Sequence, residues 1–338
     1  MSDLHINTPG VYIQEIDAFG NSIVPVPTAV PAFIGYTPQA SYQGKSLLNK
    51  PVRITSFQEF KTFFCHPDPL LASDHIQQYS PQYYLIELAE KAKNEETINL
   101  GSKTYTVLPD PDTIYYMYNS VRLFYQNGGG DAYIVSVGDY GHASQAPIKP
   151  DTQIVNSNVK LNDLMTGLEL LKKEQEPTMY ICPDATLLSP DNHATLVQTT
   201  LLQCEELQSV IGIFDIIGAR NPDPILYTQD IETFRNGTGN DGLSYGAAYY
   251  PFIGTTILQP GDLDYTNLLG GDIEKLGKLL NPDGANAALA KIITDIQSQA
   301  NPRTSELQHD QSLRAVSPDD ASIIDTITRL ANMLPPSP

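Results

Sequence analysis

Apolar residues along this chain follow two rhythms. Short unbroken runs of β-branched and aromatic residues alternate with stretches in which apolar positions return every three or four residues. Runs of the first kind read as strands buried on both faces, and stretches of the second kind read as helices with one buried face. Ala29-Val30-Pro31-Ala32-Phe33-Ile34-Gly35-Tyr36, closed by Thr37-Pro38, predicts a buried strand of the main sheet. Ser56 with Glu59 three residues on forms a capping box, after which Phe57, Phe60 and Phe64 recur at helical spacing. Residues 66–111 break this order. Pro67 and Pro69 mark a turn, a helix is expected around 83–93, and a hairpin is expected over 97–108 with its turn at Gly101-Ser102. Asp112 is placed to cap a helix carrying Ile114, Tyr118, Val121 and Tyr125. That helix stops at Asn127-Gly128-Gly129-Gly130, and 132–137 comes next as a strand.

Beyond a polar linker, Leu161, Leu164, Met165, Leu168 and Leu171 share one helical face. A strand over 178–182 ends in Pro183-Asp184. Ser189-Pro190 then supplies an N-cap with proline at the first helical position, opening a helix that buries Leu196, Val197, Thr200, Leu201 and Cys204. A strand over 210–217, a helix over 230–235 and an apolar strand over 245–253 complete the alternation. Helices alternating with apolar strands predict an α/β fold, a mostly parallel sheet covered by helices. The expected core is 28–41 plus 112–254, with 42–111 as a surface insertion. Residues 255–338 form a loop-rich and helical extension, with Ala287, Ala290, Ile293 and Ile296 on one helix. A last helix, capped at Ser317-Pro318, carries Ile323, Ile324, Ile327, Leu330 and Ala331.

Residues 1–27 stand apart as an arm. Thr8-Pro9-Gly10-Val11-Tyr12-Ile13-Gln14-Glu15-Ile16 has the composition of a strand with no hairpin partner nearby. Gly20, Pro25, Pro27 and Pro31 after it suit an extended tether better than a turn back. Such a strand needs a sheet edge, either in its own domain or in another molecule.

Composition narrows the function. The chain has 338 residues, more than one compact core usually holds. A net charge of −19, from 20 basic and 39 acidic residues, argues against nucleic acid and anionic membranes as partners. The same acidity fits either solubility or a basic protein partner. No stretch approaches the ~18 apolar residues of a membrane helix, and the N-terminus lacks a signal pattern, so cytoplasmic synthesis is expected. Cys65, Cys182 and Cys204 are far apart, with Cys182 and Cys204 expected as small core residues. The 19 tyrosines, with no tryptophan, suit half-buried sheet and helix faces or contacts between proteins.

Candidate chemistry is sparse. Asn127-Gly128-Gly129-Gly130-Asp131 runs from helix into strand, the reverse of a phosphate-binding loop, so its glycines are expected to cap the helix C-terminus. Asp184 and Asp215 fall near the C-terminal ends of two predicted parallel strands, where α/β proteins place sites, and two carboxylates there could hold Mg²⁺. No third ligand is evident at telling spacing. The six histidines are dispersed, and Cys65-His66 are neighbours without a base and orienter set. No catalytic residue, metal or cofactor is assigned, and the chain is not expected to be an enzyme.

Sequence blocks downstream give the arm its meaning. Thr8-Pro9-Gly10-Val11-Tyr12-Ile13-Gln14-Glu15 and Thr28-Ala29-Val30-Pro31-Ala32-Phe33-Ile34-Gly35 resemble the start of contractile tail sheath proteins of bacteriophages and phage-tail-like injection systems. The likeness continues, in order, through Val52–Phe60, Val121–Gly130, Ala132–Val135, Tyr180–Asp184, Ala247–Phe252 and Leu334-Pro335-Pro336-Ser337. The resemblance implies a structural homo-oligomer, with subunits stacked as hexameric rings in a helical array around an inner tube and contacting baseplate and cap proteins. Contraction would drive the tube through a target envelope. It also implies that Pro9, Gly10, Val11, Tyr12, Ile13, Gln14 and Glu15 link subunits by adding a strand to a neighbour's sheet. The particle would be assembled in the bacterial cytoplasm, as a phage tail or as a released or anchored injector. In that family the Leu-Pro-Pro-Ser block leads into a domain whose strands receive neighbouring arms. This sequence stops at Pro338, so the 338-residue form alone is not expected to build normal contractile tubes. The rival readings are a non-contracting cap or adaptor homologue and an α/β enzyme with Mg²⁺ at Asp184 and Asp215.

Overall fold

A computed structural model describes residues 29–66, 80–88, 97–100, 103–149, 152–219, 225, 227–259, 262–263, 267–282, 284–298 and 333–334. The main body opens with β1 (Pro31–Thr37), the short hairpin β2 (Ser41–Tyr42) and β3 (Lys45–Ser46), then β4 (Pro51–Ile54) and α1 (Phe57–Phe64). A separate group comes next, β5 (Tyr83–Leu88), β6 (Thr97–Leu100) and β7 (Lys103–Pro109). The chain then returns through α2 (Met117–Gln126), β8 (Ala132–Asp139), α3 (Leu161–Leu170), β9 (Met179–Ile181), α4 (Pro190–Leu207), β10 (Ile211–Asp215), α5 (Tyr227–Thr238) and β11 (Gly246–Tyr249). After β12 (Ile253–Gly254) come α6 (Ile273–Leu280), α7 (Ala287–Ser298) and β13 (Met333–Leu334).

Six strands form one sheet in the order β11-β10-β9-β1-β8-β4. Every pairing is parallel except that of the edge strand β4 with β8. Parallel neighbours need crossovers, and α3, α4 and α5 lie on the connections into β9, β10 and β11. The mostly parallel α/β fold expected from the alternating pattern is therefore the fold found.

Because side chains alternate across a strand, β1 feeds two cores at once. Ala32, Ile34 and Tyr36 meet Val135, Val137 and Tyr180 beneath Leu164 and Leu168 of α3 and Leu196 and Cys204 of α4. Phe33 points the other way, with Ile134, Ile181 and Ile213, against Phe60 and Phe64 of α1 and Met117 and Val121 of α2. Each such large side chain, fully buried, contributes roughly 1.5–3 kcal/mol relative to exposure. Gly167 lets α3 approach the sheet: a Cβ there would lie 2.5 Å from Ile34 Cγ2 and 2.7 Å from Val137 Cγ1.

Local signals behave as their chemistry demands. Ser56 Oγ accepts from the Glu59 N–H at 3.2 Å and starts α1. The Glu59 carboxylate reaches back to the Thr55 N–H at 2.6 Å and the Thr55 hydroxyl at 3.0 Å, one residue beyond the usual reciprocal partner. At the end of α2, Gly128 is left-handed at φ +84, its N–H bonding to Tyr125 O and that of Gly129 to Phe124 O. That pair of bonds is a Schellman cap, so the glycine run terminates a helix.

Two expectations fail for a shared reason. The helix expected around 83–93 is strand β5 over its first half, paired antiparallel with β7. Tyr83 and Leu85 are buried while the residues between them are less so, a period of two that pairing with β7 selects. Asp112 does not cap α2. Asp110 caps the preceding turn by accepting from the Asp112 N–H at 3.1 Å, and Asp112 itself binds the Ser157 N–H at 2.6 Å and hydroxyl at 2.9 Å. The hairpin expected over 97–108 is present as β6 and β7, with 101–102 outside the described residues.

Residues 42–111, expected as one surface insertion, divide between two bodies. Their first part supplies β4 and α1 of the main body. Their second part forms the three-stranded sheet β5-β7-β6, whose Tyr83, Leu85, Tyr105 and Val107 share a core with Leu263, Leu268 and Leu276 from the extension beyond 255. This small sheet and its core join the main body through Arg122 and Asp262, 3.2 Å apart, and through the buried Gln82, whose N–H donates to Thr113 Oγ1 at 2.9 Å.

Candidate functional site

The linking arm Pro9, Gly10, Val11, Tyr12, Ile13, Gln14 and Glu15 lies outside the described residues. The structure does place the two aspartates, the remaining candidates for chemistry. Asp184 lies just past β9 and is fully buried. Its Oδ2 accepts from the Tyr36 N–H at 2.9 Å and its Oδ1 from the Tyr116 N–H at 2.7 Å, with the Met117 N–H also bonded to it. Tyr116 and Met117 begin α2, which has no capping side chain of its own. Asp184 therefore supplies from a distant strand the acceptor that the helix start lacks. Burial pushes its carboxyl up to about 6, against the pull of the three backbone donors. A carboxylate whose oxygens are taken by backbone N–H groups has little left for a cation, and the Mg²⁺ reading of Asp184 gives way to this structural one.

Asp215 ends β10 and is buried beside a different partner. His193, on the first turn of α4, places Nε2 3.1 Å from the Asp215 carbonyl oxygen, which fixes Nε2–H as donor when the ring is neutral. Phe234 of α5 lies against the same ring, centroids 6.1 Å apart. Burial lowers the imidazole to about 4. A small cavity here is walled by Tyr180, Cys182, His193, Leu196, Thr200 and Asp215. Burial also pushes the Cys182 and Cys204 thiols up to about 12, which keeps them protonated and unreactive. Among the described residues, no group of three or more His, Cys, Asp or Glu side chains is arranged to hold a metal ion. Nor is any described helix long and apolar enough to cross a membrane.

What the body offers instead is surface. Strand β11 pairs with β10 on one side and has no partner among the described strands on the other. Its residues Gly246, Ala247, Ala248 and Tyr249 carry mostly small side chains, so backbone N–H and C=O groups line that edge. Ile211 on β10 is 40% exposed and Tyr249 44% exposed, while Leu202 and Leu243 are exposed near the other face. Sequence patterns found these strands but gave no sign of which would be the edge. Edge position is a matter of sheet order, which only the tertiary pairing fixes.

No family model matches the sequence, and no curated protein matches it. Among solved structures, the chain is similar to a chain of the anti-feeding prophage baseplate in its contracted state, at 16% identity and a TM-score of 0.40, covering 75% of this chain and 50% of that one. It is also similar to a chain of the anti-feeding prophage helical sheath in its contracted state, at 17% identity and a TM-score of 0.36, covering 74% of this chain and 47% of that one. The chain thus spans about half the length of these structures.

Proposed function

We propose that this chain is a structural subunit of a contractile, phage-tail-like injection machine, and within it a sheath subunit. The observation that supports the reading is where the family-like sequence blocks fall in space. Residues 29–35 build β1, residues 52–60 build β4 and α1, and residues 121–135 build the capped end of α2 and β8. Residues 180–184 build the end of β9 and the Asp184 hub, and residues 247–252 run through β11. Blocks far apart in sequence thus make one sheet and its helix caps.

In this role the compact α/β body is a rigid tile, and the arm Pro9–Glu15 is the connector that adds a strand to a neighbouring subunit. Backbone hydrogen bonds in the joint would persist while the tiles re-pack between two states of similar energy, which is how a small per-subunit difference becomes a cooperative movement. The partners are neighbouring copies, the inner tube, and baseplate and cap proteins. The work is mechanical, and no catalytic group is required.

Deleting residues 1–20 tests this. The shortened protein should keep the circular dichroism spectrum and urea midpoint of the unshortened chain, yet fail to co-sediment with assemblies of a full-length sheath partner, which the unshortened chain joins. Undiminished co-assembly of the shortened protein would refute the connector role.

A further inference from the structure

Charge is shared out unevenly over the two faces of the main sheet. On the Phe33 side, residues 38–66 carry Lys45, Lys50, Arg53 and Lys61 against the single acid Glu59, in a chain whose net charge is −19. Arg53 is taken up by Asp131 and Glu176, while no described carboxylate pairs with Lys45, Lys50 or Lys61. Lys45 and Lys50 belong to the corner built on the hairpin of β2 and β3. That hairpin turns tightly: Gln43 at φ +49 and Gly44 at φ +75 are both left-handed, as a two-residue type I′ turn requires. It is fixed to the body by the Leu47 N–H on Ala40 O at 2.9 Å and the Asn49 N–H on Ser136 O at 2.8 Å. Tyr42, its ring edge-on to Phe63 at 4.8 Å, and Leu48 are exposed on it. The corner is a rigid apolar patch bordered by ammonium groups.

The opposite face carries the reverse. Helix α4, which packs there through Leu196 and Cys204, ends in Glu205 and Glu206 with no basic residue in its last turn. Carboxylates at that end oppose the helix dipole, which a cation would complement. Lys172, 3.6 Å from Glu206, offsets one of them, and Glu205 has no ion-pair partner among the described residues. Leu202, one turn back, is exposed, and so is Leu243. The loop carrying Leu243 lies on α4, since a Cβ at Gly242 would sit 2.8 Å from the Leu201 carbonyl oxygen. The exposed Asp241 adds a third carboxylate beside it. Two leucines bordered by acid thus stand where the helix itself gains nothing from the acid.

We propose that these two surfaces dock on each other between copies of the chain, the Tyr42–Lys50 corner of one against the Leu202–Glu206 end of α4 in the next. Charge complementarity selects this occupant. A chain of net charge −19 repels its copies except where opposite patches meet, and the complement of the basic corner stands on its own far face. Because the two patches lie on opposite faces of one sheet, the contact is head-to-tail and propagates instead of closing on a pair. This deepens the reading of the body as an assembling tile and rests on it for the choice of partner, with no part played by the arm.

Charge reversal in the full chain tests it. Lys45→Glu with Lys50→Glu reverses one patch, and Glu205→Lys with Glu206→Lys reverses the other. All four side chains are exposed, so circular dichroism should show both variants folded. Sedimentation equilibrium at about 0.15 M salt, where repulsion beyond ~8 Å is screened, should give an average mass that rises with concentration for the unaltered chain. Each variant alone should stay at the mass of one chain, since like charges then face each other. An equal mixture should regain association, because each reversed patch meets its reversed complement on the other variant. Self-association that survives either reversal would overturn the proposal and place the contact elsewhere, leaving the sheath reading standing. A mixture that stays at the mass of one chain would overturn it as well, as would an unaltered chain that does so at every concentration.

Discussion

Replacing His193 by glutamine, and tracking stability from pH 7 to pH 5, probes the buried end of β10 directly. His193 is neutral in the fold, with its proton affinity lowered from the ordinary 6.5 to about 4 by burial. In the unfolded chain it binds a proton below 6.5, so the unfolded state takes up more protons in this window and stability falls with pH. The stability is whole above 6.5 and is lost progressively as pH drops toward 4. Between 6.5 and 5 the loss is about 2 kcal/mol, at ~1.4 kcal/mol for each tenfold change in proton affinity. Asp184 works in the opposite sense. Its folded-state value is raised from 3.8 to about 6 by burial, so its contribution is fully present below 3.8 and is lost as pH rises through 6. Going from pH 7 to pH 5 it returns about 1.4 kcal/mol.

The two side chains therefore mask each other in the unaltered protein, and single variants should unmask them. His193→Gln keeps an amide donor for the Asp215 carbonyl but cannot titrate. Urea unfolding read by circular dichroism at pH 7, 6 and 5 should show the variant gaining about 2 kcal/mol relative to the unaltered chain as pH falls. Asp184→Asn should lose about 1.4 kcal/mol relative to it over the same range, on top of a pH-independent cost for turning an amide donor toward backbone N–H groups. Stopping at pH 5 keeps the acidic chain charged and soluble. A His193→Gln difference that stays constant across this range would mean the imidazole titrates normally, and would refute the account of its burial.

Gly128→Ala should cost roughly 1–2 kcal/mol in urea unfolding, because φ is +84 and nothing lies within 4 Å of the new Cβ, leaving only the left-handed backbone penalty. No loss would mean that the Schellman cap is not formed. Phe60→Ala, at a fully buried ring between Phe57, Phe64 and Tyr118, should cost about 3–5 kcal/mol and lower the unfolding midpoint sharply. Arg53→Ala should leave the midpoint where it was, despite the 2.7 Å contact with Asp131, since that ion pair is exposed. A large shift would show that Arg53, Asp131, Glu176 and Tyr133 act as a coupled network.

How much the sequence reveals depends on how far away the deciding partner is. The central strand β1, the Ser56 start of α1, the α3 and α4 faces and the glycine stop of α2 are all set by residues within a turn or two, and their patterns predict them. Strand β5 and the second core are decided by β7 and by leucines beyond 260, and no local period announces them. The aspartates show the same limit in chemical form. A carboxylate just past a strand end looks like a ligand, because sequence cannot show that a helix beginning 68 residues earlier has no cap. The helix dipole and the unpaired N–H groups of α2 need an acceptor, and Asp184 is fixed by that need as firmly as a ligand would be by a metal. Separating the two cases takes a count of helix starts that lack a capping side chain. In this chain α2 is such a start, and once its requirement is met by Asp184, no group of three or more His, Cys, Asp or Glu side chains among the described residues is left to hold a cation beside Asp215 and His193.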